Sequence, residues 1–402
     1  MRPLTGTRIL DLSRLIPGPF ATLVLADLGA SVDKIEDTGG GDYLRHMPPQ
    51  VAGESAAFHL LNRGKRSAIL DLKKPEGRDA FKRLVGSYDV LFDQFRPGVL
   101  ARLGLGHEAL RAANPALIIC ALTGYGQTGE LAQRAGHDLN YLARAGLLGF
   151  QGPPDEPPQV PGVQLADVSG GMWCVIAILA ALAERAKTGV GRVLDIAMAD
   201  GVLGFAVASL GASLAAGASL AAGSATPPSP PRRGDEPLSG GIAPYQTYLS
   251  QDGRPMTLAA LEPKFWGSFC SGVGLEVEMS AFMPGPHQVA LKQRVAEIFA
   301  SRTREEWVAF AAQRDCCLEP VIEPHELPRD PHVAERGLLF EMASPRGPVP
   351  QLRTPVTPAD VASLTPPPRA GEHTRTIFTE AGFSPEEIDA LIGAGAIREA
   401  QP

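Results

Sequence analysis

Two short stretches carry residue types that can move a proton. Gly136-His137-Asp138-Leu139-Asn140-Tyr141 sets an imidazole in a polar cluster where a loop gives way to a helix, a setting that suits a general base. Further on, Leu165-Ala166-Asp167-Val168-Ser169-Gly170-Gly171 places a carboxylate at the start of a long helical pattern. An imidazole and a carboxyl group acting on one substrate point to chemistry at an acidic carbon. Each also has a plainer reading, His137 as a structural histidine and Asp167 as a helix cap.

The elements around them alternate. Thr7 to Leu12, Ser31 to Glu36, Ser67 to Leu72, Asp89 to Asp93, Leu117 to Leu122 and Arg192 to Ile196 read as strands, with helical spacing at Phe20 to Leu28, at Pro75 to Leu84 and from Asp167 to Gly189. Such alternation predicts an α/β fold with a parallel sheet covered on both faces. A hairpin with Asp-Gly turn chemistry is expected where Pro244 to Leu249 and Pro255 to Ala260 flank Ser250-Gln251-Asp252-Gly253, opening a smaller α+β domain. Helices at Lys264 to Val273, His287 to Ala300 and Arg304 to Arg314 complete it. In the tail, Ser384-Pro385-Glu386-Glu387 has the pattern of a capped helix start. The expected organisation is 1–200 as the N-terminal part of a large domain, 201–235 as a helix and Pro-rich linker, 236–330 as the small domain, and 331–402 as a return segment.

Composition narrows the function. The chain has 402 residues, 44% of them apolar, and a formal charge of −7 with no basic block, which argues against nucleic acid or an anionic membrane as partner. The five cysteines, at 120, 174, 270, 316 and 317, follow no disulfide or metal-ligand spacing. No apolar core of signal-peptide length opens the chain, so a soluble, cytoplasmic protein is expected. The uncharged run from Val202 to Ala225 is dominated by Ala, Gly and Ser and reads as a long buried or interface helix, not a membrane span. Ile16-Pro17-Gly18-Pro19 turns into a helix, but its two prolines leave too few amides to cradle a dinucleotide pyrophosphate, so NAD is not expected.

An ordered series of motifs resembles the family III coenzyme A transferases, a group that also includes alpha-methylacyl-CoA racemase. It runs through Ile16-Pro17-Gly18-Pro19-Phe20, Leu25-Ala26-Asp27-Leu28-Gly29-Ala30, Arg63-Gly64-Lys65-Arg66-Ser67, Phe95-Arg96-Pro97-Gly98-Val99, Thr123-Gly124-Tyr125-Gly126-Gln127-Thr128-Gly129 and Glu372-His373-Thr374. The segment from Gly136 to Tyr141 is similar to the catalytic histidine segment of the racemase branch. Gly39-Gly40-Gly41-Asp42 is more typical of the transferases, and Asp37 stands where an adenine-stacking arginine often lies.

The resemblance implies a Rossmann-like large domain plus a smaller domain, in an interlocked homodimer. It nominates His137, Asp167 and Glu262 as catalytic. The racemase reading is inversion of a 2-methyl-branched acyl-CoA by α-proton removal and return, with Glu262 orienting His137 and amides near Gly170-Gly171 holding the enolate oxygen. The transferase alternative carries CoA as an aspartyl thioester on Asp167, and a third is CoA-thioester binding without catalysis. Substrate contacts are expected from Ile16, from the cations Arg63, Lys65, Arg66, Arg96 and Arg102, and from Gly136 and Tyr141. No metal and no cofactor beyond the CoA of the substrate are expected.

Overall fold

The computed structural model describes residues 2–223 and 230–400, so residues 224–229 of the expected linker lie outside the described residues. The first βαβ unit is β1 (Arg8–Asp11), α1 (Pro17–Asp27) and β2 (Ser31–Glu36). A two-residue ribbon, β3 (Gln50–Val51) with β4 (Glu54–Ser55), leads into α2 (Ala56–Asn62) and β5 (Lys65–Leu70). Then follow α3 (Pro75–Val85), β6 (Val90–Asp93), α4 (Val99–Arg102), α5 (His107–Ala113), β7 (Ile118–Thr123), α6 (Asp138–Arg144), α7 (Leu165–Thr188), β8 (Val193–Ala197) and α8 (Met198–Gly201). Central strands such as β6 and β7 are buried on both faces, which is why they read as unbroken apolar runs.

The chain divides into two compact units, and the first comprises 1–145, 162–202 and 331–402. Its sheet has the order β14-β5-β2-β1-β6-β7-β8. The last strand, β14 (Ile397–Arg398), runs antiparallel to β5, and the other pairs are parallel. Leaving β14 aside, this is the doubly wound order, in which the chain reverses direction between β1 and β6 and opens a crevice outside the carboxyl ends of the strands.

Helix α7 is long and apolar enough in composition to cross a membrane. It packs against α1, α6, α8 and β7. A Cβ on Gly171 would lie 2.5 Å from the Pro17 carbonyl oxygen, so the two helices approach to a distance only glycine permits.

The second unit comprises 146–161 and 203–330. It includes α9 (Val207–Ala221), after which β9 (Tyr245–Leu249) and β10 (Pro255–Ala259) form the expected hairpin, with Gly253 in the left-handed region at φ 72°. Helices α10 (Pro263–Val273), α11 (His287–Phe299) and α12 (Arg304–Ala312) and strand β11 (Leu318–Pro320) complete it. Its core stacks Trp266, Phe269, Phe299 and Trp307. Of the two expectations for the uncharged run, a buried or an interface helix, burial within the chain is corrected: only Ala216 of α9 is buried, and Val207, Leu214 and Leu220 are more than 60% exposed.

The return segment carries α13 (Pro331–Glu335), β12 (Leu339–Met342), β13 (Val349–Leu352), α14 (Thr374–Glu380) and α15 (Pro385–Gly393). Ser384 and Glu387 cap α15 reciprocally, as their spacing predicts. All five cysteines are free thiols.

Gly171→Ala should lower the free energy of unfolding by about 2 kcal/mol through overpacking against α1. Urea denaturation measures it, and an unchanged midpoint would show that α1 can move aside.

Candidate active site

At the carboxyl edge of β7 the chain turns through Gly124 and Gly126, the latter left-handed at φ 87° with its N–H donating to Thr123 Oγ1. The ring of Tyr141 seals this turn. A Cβ on Gly124 or Gly136 would come within 2.4 or 2.7 Å of that ring, so both glycines are required by its closeness. The Tyr141 hydroxyl donates to the Gly136 carbonyl at 2.5 Å, and its ring meets Tyr125 edge to face at 5.2 Å. Tyr141 is therefore a buried wall of this turn, with its hydroxyl already bonded within the loop.

His137 is the N-cap of α6, with its backbone N–H donating to Asn140 Oδ1 and its side chain exposed. The next residue supplies the decisive link. Asp138 Oδ1 accepts from the backbone N–H groups of Ala166 and Asp167, at 2.7 and 3.0 Å. One carboxylate thus caps the start of α7 and fastens the histidine segment to the aspartate segment. Burial, reinforced by the nearby charge of Asp138, pushes the Asp167 carboxyl up to about 6. Burial also pushes the Tyr141 phenol up to about 12, with the Asp167 charge adding to it.

Two cavities open at the same edge of the sheet. One of about 240 Å³ lies over the ends of β1, β2 and β5, with Leu12, Ile35, Leu70 and Phe95 as apolar walls and Arg14, Lys73 and Arg102 among its polar lining. The other, of about 280 Å³, is lined by Arg96, Asp93, His107 and Gln127, and His107 Nε2 lies 2.8 Å from Asp93 Oδ2. Arg96 and Arg102 are exposed cations on these cavities, as a phosphate-bearing ligand requires. Ile16 is half-buried at the N-cap of α1.

The Arg63 to Arg66 cluster is corrected. Arg63 is fully buried, bonded twice to Asp27 and also to Gln351, Leu352 and Thr357. Lys65 is equally inaccessible, donating to Pro19 and Asn62, and burial brings its ammonium down to about 7. Arg66 is held by both oxygens of Asp33 and by Glu380. With these partners the cluster is structural, not a phosphate site. Gly170 and Gly171 lie inside α7, where their amides carry the helix's own bonds, so they are not the enolate donors. Glu262 belongs to the second unit, exposed at the N-cap of α10.

Sequence reasoning gave Asp138 no role, although an acidic residue in the first turn of a short helix, directly after a candidate base, was a readable signal. The Asp93 and His107 pair was missed as well: the two residues lie 14 positions apart on the one connection that follows β6, and only the way that connection folds back through α4 brings them together.

Comparisons with known proteins place the chain in a family. The family model described as CoA-transferase family III matches residues 4–374. The chain is 38% identical over 394 residues to alpha-methylacyl-CoA racemase of Homo sapiens, covering 96% of each chain. It is 32% identical to succinyl-CoA:glutarate CoA-transferase of Homo sapiens, covering 99% of this chain and 90% of that one. A solved CAIB/BAIF family protein from Brucella suis superposes with a TM-score of 0.77 at 34% identity, over 94% of this chain and 99% of its own.

The raised Asp167 carboxyl has a consequence for stability. Folded Asp167 holds its proton up to about pH 6, whereas an unfolded aspartate releases it near 4, so ionisation weakens the fold as pH rises through that window. Asp167→Asn should therefore be the more stable protein above pH 7 by about 2 kcal/mol, with the advantage fading towards pH 4. Urea unfolding between pH 4 and 8 measures this, and an advantage independent of pH would refute the assignment.

Proposed function

The chain belongs to CoA-transferase family III, and we propose that it is a racemase or epimerase of 2-methyl-branched acyl-CoA thioesters. His137 removes the α-proton from one face of the carbon, the electrons pass into the thioester carbonyl, and protonated Asp167 returns a proton to the other face. For the opposite enantiomer the roles exchange. The observation that carries the reading is Asp138, which follows the exposed His137 directly and holds the amide of Asp167 at 3.0 Å. Support also comes from the Asp167 carboxyl, which near 6 is present in both protonation states around neutrality. The racemase relative at 38% identity is in keeping with it.

The rest of the substrate is assigned to the edge of the sheet. The apolar cavity beside Arg14 and Arg102 suits the adenosine half of CoA, and Arg96 suits its phosphates. Ile16 lies at the entrance of α1 for the pantetheine arm. A second copy of the chain is proposed to cover the exposed apolar side chains of α9, Val207, Leu214 and Leu220, and to supply Glu262 to the imidazole. Two side chains that exchange a proton require no cofactor beyond the CoA of the substrate.

A second reading is favoured by the transferase relative, which matches over 99% of this chain. In it Asp167 attacks the thioester carbonyl and expels the CoA thiolate to form a mixed anhydride; the thiolate then attacks the aspartyl carbonyl, releasing the donor acid and leaving an aspartyl-CoA thioester, from which a second carboxylate collects CoA by the same two steps in reverse.

One experiment separates the two. Incubated with a single enantiomer of a 2-methylacyl-CoA in deuterated water, the protein should introduce deuterium at the α-carbon and erase the configuration with no second acid present. His137→Ala should lose that activity by roughly a hundredfold or more. Absence of exchange, together with a hydroxamate trapped at Asp167 and CoA passing to added carboxylates, would replace racemisation with transfer.

A further inference from the structure

Resting on the reading that the sheet edge binds the nucleotide half of a CoA thioester, we propose that Lys34 and Asp42 are positioning residues. They set Arg14 against the apolar cavity by locking Leu15 in a left-handed conformation. Leu15 has φ 62°, a region that a leucine occupies only when its surroundings dictate it. Three contacts dictate it. Asp42 Oδ1 accepts the Leu15 N–H at 2.9 Å. Asp42 Oδ2 lies 2.9 Å from Lys34 Nζ, and neither side chain has any solvent exposure. Lys34 Nζ in turn donates to the Ser13 carbonyl at 2.6 Å. The backbone on the two sides of Arg14 is thus tied to β2 and to the loop after it.

Arg14 is what this fixed loop presents. Its N–H donates to Gln94 Oε1, beyond the end of β6, and its guanidinium lies 5.3 Å from the ring centre of Tyr43 and 5.8 Å from that of Phe95. Nη2 is 2.8 Å from Asp37, which orients the group at the cavity wall. A planar cation placed among aromatic rings at an apolar cavity suits stacking on a purine. Stability alone does not account for the arrangement, because a buried ion pair is commonly no better for folding than apolar residues of the same size. Holding a leucine in a disfavoured conformation at the switch point of the sheet does account for it.

The test is calorimetric titration of CoA, with melting temperatures, on the full-length wild type and three variants. Leu15→Val keeps the ion pair and adds a β-branch that the left-handed region resists, so CoA affinity should fall roughly fivefold with little change in melting temperature. Asp42→Asn should lose both affinity and stability. Adding Leu15→Gly to it should restore affinity but not stability, because glycine adopts the conformation unaided while Lys34 stays unpaired. Unchanged CoA affinity in Leu15→Val, or affinity that merely follows melting temperature across the set, overturns the assignment and leaves the site intact. A wild-type protein that binds no CoA overturns the assignment together with the reading beneath it.

Discussion

Asp27 is the residue on which the first unit is hung. Its carboxylate, 1% exposed, accepts from Arg63 Nε and Nη2 and from the hydroxyls of Thr354 and Thr357. Arg63 in turn donates to Gln351 Oε1 and the Leu352 carbonyl. The last residue of α1, the residue after α2 and the return segment therefore share one buried charge pair, although the return segment lies 288 or more positions further along the chain. Removing one partner would strand a charge where water cannot reach it, a penalty of about 3–5 kcal/mol. The C-terminal segment could not then close over the sheet in the same place.

With the sheet assembled, its carboxyl edge becomes a place where loops must be held without ladder partners. Side-chain charge holds them. Glu36 binds Arg45 through both oxygens and accepts from Ser67, and Arg45 reaches on to Glu54 and the Pro368 carbonyl. These charges outweigh the burial that opposes them and hold the Glu36 carboxyl down at about 2. Asp138 works in the opposite sense at the other end of the edge. It bonds amides, not cations, so its charge adds to the burial that raises the Asp167 carboxyl. The same edge thus contains a carboxylate, Glu36, held ionised for structure and another, Asp167, poised near neutrality.

Periodicity revealed the strands and helices because their burial is simple. A strand such as Ile118–Thr123, apolar almost throughout, can only be central. The hairpin turn and the Ser384 cap were legible for local reasons, since turn and cap chemistry is written in a few adjacent residues. What periodicity cannot show is where a charged side chain points. Arg63, Lys65 and Arg66 have the composition of a phosphate site, and two of the three are buried. Their partners, Asp27, Asp11, Asp33 and Glu380, come from other elements, and only the strand order brings them together. Asp138 was hidden differently, since the sequence places it beside His137 while its hydrogen bonds reach a helix beginning at Leu165.

The two proposed reactions would ask different things of Asp167, and its surroundings bear on which is met. A nucleophile works best as an anion, and a site built only for that would surround Asp167 with donors or cations, as Glu36 is surrounded. Asp167 instead has burial and a second carboxylate acting against its charge. Such surroundings favour a group that spends part of its time protonated, which is what returning a proton to an enolate demands. The same Asp138 whose charge adds to the burial acting against Asp167 ionisation follows the imidazole in sequence. A change at this one position would therefore alter both the proton affinity of Asp167 and the placement of His137.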